Sequence, residues 1–155
     1  MSRVDTLLDN IDENGETVAL TDSEPHIVVG SNRFILVPQE LKRIGVQHDH
    51  NVETVTFDCI RYWDEHDLST MVIHINFRAA NGYVDEYQVT DVVVDDNDPN
   101  TMHFTWTIGE DVTQAAGSIA FLVCIRDTED VASATVHWNS ETNKDMYVSP
   151  GIRVG

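Results

Sequence analysis

From His26 onward, apolar residues recur at every second position, and this period limits the chain to one kind of architecture. A two-residue repeat puts successive side chains on opposite faces of an extended strand. Val55, Phe57 and Cys59 share one face of a strand, with Thr54, Thr56 and Asp58 on the other. Met71, Ile73, Ile75 and Phe77 alternate with Val72, His74, Asn76 and Arg78. Met102, Phe104, Trp106 and Ile108 alternate with His103, Thr105 and Thr107. Ile119, Phe121, Val123 and Ile125 form another inward set, but Ala120, Leu122 and Cys124 opposite them are apolar too. That strand is therefore expected to be central or covered. Ala134, Val136 and Trp138 continue the pattern over Ala132–Trp138, and Met146–Val148 closes it.

Turn signals punctuate these runs. Gly30-Ser31-Asn32 separates His26–Val29 from Arg33–Val37, and Pro38 opens a short helical stretch over Gln39–Arg43. Asn81-Gly82 is a strong hairpin signal, with the returning strand expected within Tyr83–Val94, and Asp95–Asn100 is a polar turn. Eight or nine short strands follow, with almost no helical period after residue 45. The reading is all-β: an antiparallel β-sandwich around one dry interior, with a barrel as the alternative.

The first 25 residues differ. They are rich in acids, and Val4, Leu7, Leu8 and Ile11 fall at i, i+3, i+4 and i+7, a helical stripe. A helix of about ten residues is marginal alone in water, so this arm (1–25) needs a surface, either its own domain (26–155) or a neighbouring subunit. With 155 residues and 41% hydrophobic content, one domain is expected. A formal charge of −18 argues against nucleic acid and against anionic membranes as partners. There is no membrane-spanning run, and the N-terminus lacks the layout of a signal peptide.

Recognised catalytic motifs are absent, and neither catalytic, cofactor nor metal residues are assigned. Four constellations bear weighing. Asp64-Glu65-His66-Asp67 has catalytic residue types but no nucleophile, and reads as a connector. His48-Asp49-His50 puts two imidazoles on one side of an extended segment; a metal would need further ligands from Glu53, His74 or His103. Asp96-x-Asp98-x-Asn100 imitates the start of a calcium loop, yet Thr101 and Thr107 stand where an EF-hand requires Gly and Glu. Cys59 and Cys124, 65 residues apart, match the spacing of an immunoglobulin bridge, but Leu122 replaces the expected Tyr and Trp63 lies too near Cys59. Buried free thiols are the expectation. Tyr62, Trp63, Tyr83, Tyr87, Trp106 and Trp138 are the aromatic candidates for a sugar platform. Trp106 and Trp138 read as core, and an exposed cluster of Tyr62, Trp63 and Tyr83 could stack on a carbohydrate or on another protein, with packing over the end of the sandwich the expected role.

Three segments together resemble a known family: Arg61–Ser69 leading into Met71–Arg78 and Asn81-Gly82; Met102–Ile108 followed by Val112-Thr113 and Gly117–Ile125; and His137-Trp138-Asn139-Ser140 before Met146-Tyr147-Val148. Their layout is similar to the N-terminal domain of baseplate upper proteins, virion proteins of tailed bacteriophages, over about residues 26–150. The resemblance implies an immunoglobulin-like sandwich that anchors a larger assembly to the particle, without catalysis. The expectation is thus a virion structural protein, made in the host cytoplasm. It would act as a baseplate or tail adaptor, or as a capsid decoration or head-fibre anchor. Its partners would be other virion proteins and further copies of itself, reached through Val4, Leu7, Leu8 and Ile11. A carbohydrate-binding module and a metal-dependent hydrolase using His48 and His50 are the competing classes.

Overall fold

The computed structural model describes residues 24–47 and 53–151. The strands, in chain order, are β1 (Ile27–Val29), β2 (Ile35–Leu36), β3 (Arg43–Val46), β4 (Glu53–Ile60), β5 (Tyr62–Trp63), β6 (His66–Asp67), β7 (Val72–Arg78), β8 (Val84–Gln88), β9 (Val93–Val94), β10 (Thr101–Ile108), β11 (Gly117–Ser118), β12 (Ala120–Arg126), β13 (His137–Asn139) and β14 (Tyr147–Ser149). One α-helical turn, α1 (Glu110–Thr113), follows β10. The protein is all-β, as its periodicity predicts. The arm stripe Val4, Leu7, Leu8 and Ile11, and His48-Asp49-His50, lie outside the described residues.

Two sheets carry the core. The first runs β2-β1-β4-β10-β9 and the second β13-β12-β7-β8. Their inner faces are the alternating sets read from the sequence: Val55, Phe57 and Cys59; Met102, Phe104, Trp106 and Ile108; Ile73, Ile75 and Phe77; Ile119, Phe121, Val123 and Ile125, all buried. Phe57 stacks on Phe104 within the first sheet, ring centroids 5.0 Å apart, and meets Phe121 of the second edge-on at 6.1 Å. Trp106 packs on Phe121 at 5.3 Å and on Phe77 at 5.9 Å. Offset and edge-on contacts of this kind add about 0.5–1.5 kcal/mol each beyond simple burial.

The second sheet is antiparallel throughout, whereas the first sheet and the small β11-β14-β3 sheet are mixed. β1 pairs antiparallel with β2 but parallel with β4, and β14 pairs parallel with β3. The composition of β1 explains its place: Ile27, Val28 and Val29 are all buried, and a short apolar strand without a polar face suits a parallel, doubly covered position.

Ala132–Trp138 is not one strand. Asp130 accepts hydrogen bonds from the Ala132 amide and the Ser133 hydroxyl, which closes a 3₁₀ turn over Val131–Ser133. Asp127 similarly holds the Thr135 amide and hydroxyl. These side chains draw the backbone away from the ladder, so only His137–Asn139 pairs, and Trp138 still reaches the core. At Asp64 and Glu65 φ is +49° and +67°, which makes the β5–β6 connection a tight hairpin of the primed type.

Candidate functional site

Asp58 occupies the outward-facing side of β4, where the alternation expects a solvated residue. It is only 3% exposed. The strand pairing explains this. His103 of β10 is its direct partner on one side, and β1 runs along the other, with Val28 opposite Asp58. His26, just before β1, and His103 close over the carboxylate. His26 Nδ1 lies 2.8 Å from Asp58 Oδ1, and His103 Nδ1 lies 2.6 Å from the same oxygen. The far nitrogen of His103, Nε2, lies 2.7 Å from Asp95 Oδ1. The two imidazole rings meet edge-on at 6.1 Å.

The electrostatics follow. Burial pushes the Asp58 carboxyl up, but the hydrogen bonds and charges of His103 and His26 outweigh it and leave the pKa at about 2. His103 is raised to about 9, first by its hydrogen bond to Asp58 and then by Asp95, against the opposing effect of burial. At neutral pH His103 is therefore an imidazolium, donating one N–H to each carboxylate. Nδ1 of His26, Oδ1 of Asp58 and Nδ1 of His103 all lie within 4.8 Å of one another, and these three are the metal-capable group among the described residues. Their arrangement can hold protons or a cation between strands β1, β4 and β10.

Of Glu53, His74 and His103, the described residues singled out in the sequence as further metal ligands, His103 alone belongs here. His74 lies on the second sheet, buried between Glu86 (3.6 Å) and Glu129 (3.4 Å). Glu53 stands at the opposite end of β4, where it faces Ile108. His26 and Asp58 went unread because pairing alone brings them together. The available signal was a charged residue in an outward slot of an otherwise Thr-lined strand face.

The other constellations close their own turns. Asp67 pairs with Arg61 at 3.1 Å, the main cause of its lowered pKa, and also accepts from the Ser69 amide and hydroxyl at 3.0 and 2.6 Å, which lower it further. Asp95 Oδ2 receives the amides of Asn97 and Asp98, and Asp98 receives the Asn100 amide and the Thr101 hydroxyl. Cys59 and Cys124 are buried free thiols. Burial pushes both thiols up in pKa.

The aromatic candidates separate. Trp63 is partly buried against the core with Arg33 over its ring at 5.5 Å. Tyr62 and Tyr83 are exposed. Tyr62 follows the Ile60 end of β4, whereas Tyr83 leans on Phe77, which packs over Trp106 and so over the Val55 end of the same strand. They lie at opposite ends of the two-sheet core.

A shallow groove of about 650 Å³ lies on the outer face of the second sheet, with Asn76, Arg78, Glu86, Leu122 and Lys144 among its lining. No protein-family model matches the chain, and no curated protein matches it.

Proposed function

We propose that the chain is a non-enzymatic structural protein of a tailed-phage virion. In this reading the two facing sheets form an immunoglobulin-like sandwich that serves as a baseplate or tail adaptor. The copies associate with one another and with other virion proteins through the arm residues Val4, Leu7, Leu8 and Ile11.

One observation carries the non-enzymatic reading. The described groove and the described acid–base cluster lie on the outer faces of different sheets, with the aromatic core between them. The groove has ionisable residues of its own, Arg78, Asp85, Glu86 and Lys144, but no histidine, serine or cysteine is among its lining, so it holds none of the usual Ser–His or Cys–His pairs. Elsewhere the ionisable motifs hold strands and turns together. The virion assignment itself rests on the resemblance of strand order and turn placement. A head decoration or head-fibre anchor is the same reading at another place on the particle. The strongly acidic surface supports it by keeping free subunits apart in solution until specific contacts form.

Mass spectrometry of purified particles is the test. The chain is expected there in a fixed ratio to other structural proteins, and its absence overturns the reading. Light scattering tests the arm: removal of residues 1–20 is expected to abolish self-association while the circular dichroism of the sheets persists. A truncated chain that associates normally removes the arm from the contact.

A further inference from the structure

We propose that His26, Asp58 and His103 form a binding site for one divalent zinc-class ion, with Asp95 as its supporting carboxylate. The ligands are Nδ1 of His26, Oδ1 of Asp58 and Nδ1 of His103, which converge on one point of the first sheet's outer face. The inference is independent of the virion reading.

Two features of the geometry point to a metal. The first is the donor set. Two imidazole nitrogens and one carboxylate oxygen suit a borderline ion such as Zn²⁺, whereas Ca²⁺ and Mg²⁺ require more oxygen ligands than this site offers. The second is Asp95. A metal-binding imidazole characteristically gives its other N–H to a carboxylate, which fixes the tautomer and aims the free lone pair at the ion. Asp95 Oδ1 sits 2.7 Å from His103 Nε2, on the side of the ring away from Asp58. Asp95 is held in turn by the amides of Asn97 and Asp98.

The site opens outward. The side chains of His26 and His103 are 15% and 22% exposed, while that of Asp58 is 4% exposed. An ion can enter between the rings, and water can complete a four-coordinate shell. Ligand atoms around tetrahedral Zn²⁺ with bonds of about 2.0 Å stand about 3.3 Å apart. The present 2.6 and 2.8 Å contacts therefore widen by roughly 0.5–0.7 Å as the ion replaces the shared protons. Small rotations of the two rim imidazoles accommodate that. The bound ion would clamp β1, β4 and β10 at the point where the chain enters its first strand.

The experiment uses the full chain without a histidine tag, stripped with chelator and dialysed against Zn²⁺, Co²⁺, Ca²⁺ or Mg²⁺. One Zn²⁺ per chain is expected by elemental analysis, with a rise in melting temperature. Co²⁺ should give the visible absorption of a four-coordinate site, and Ca²⁺ and Mg²⁺ should do nothing. His26→Gln and His103→Gln are each expected to remove binding, and Asp95→Asn to weaken it about 10–100-fold. The exposed His137→Gln serves as the control. Circular dichroism establishes that each variant is folded, and His26→Gln, at the rim, provides the reading if a more buried change unfolds the domain. Substoichiometric Zn²⁺ in the wild type overturns the site. So does binding that survives both single His variants and disappears in a His48→Gln/His50→Gln double variant.

Discussion

Replacing His103 by Gln removes an imidazolium held between two carboxylates while keeping a polar side chain of similar reach. The loss depends on pH in a defined sense. His103 is raised from 6.5 to about 9 by its contact with Asp58 and then Asp95. A raised pKa means that the folded state binds the proton more tightly than the unfolded chain. The stabilisation is complete below about pH 6.5 and is lost as pH rises through about 9. Solvent screens the partly exposed ring, so the shift sets an upper bound of about 3 kcal/mol, or a melting-temperature difference of at most about 6–12 °C for a domain of this size. The lowered pKa of Asp58 describes the same contact from its other end, so the two effects are not summed. Urea unfolding of wild type and His103→Gln, with chelator present and from pH 5 to 10, measures the difference. The general repulsion of a −18 chain acts on both proteins and cancels. The gap should be widest at pH 5–6.5 and narrow towards pH 10. A gap that stays constant over the whole range refutes the assignment of an imidazolium to His103.

Three further outcomes follow from the packing. Phe57→Ala, which removes the ring shared by Phe104 and Phe121, should cost about 3–5 kcal/mol in chemical denaturation. Gly45→Ala should cost about 1–3 kcal/mol, because a β-carbon there would sit 2.9 Å from Thr113 Cγ2 and push β3 away from α1; an unchanged midpoint contradicts that approach. Cys59 and Cys124, buried and raised in pKa, should resist thiol reagents in the native protein and react on unfolding.

The inward residues were legible because a half-buried strand writes its period directly into the chain. Phe57, Phe104, Trp106, Phe121 and Ile125 all face the core as their spacing predicts. The Gly30–Asn32 and Asn81-Gly82 turns were legible from their residue types. Pairing direction was not. Nothing local to Ile27–Val29 distinguishes a parallel neighbour from an antiparallel one. The failed strand at Ala132–Trp138 had the right alternation, but Asp127 and Asp130 offered the backbone closer partners. The His/Asp cluster was hidden for a different reason. His26, Asp58 and His103 are 32 and 45 residues apart in sequence, and only the pairing of β4 with β1 and β10 brings them together.

The mixed environment of β1 has a mechanical consequence. This strand receives the chain from the N-terminal segment and is hydrogen-bonded along both edges, to β2 on one side and to β4 on the other. Tension applied along its axis therefore loads both ladders in shear, so that the bonds must yield together instead of peeling apart one by one. A tether leaving from this strand pulls on the stiffest direction of the first sheet.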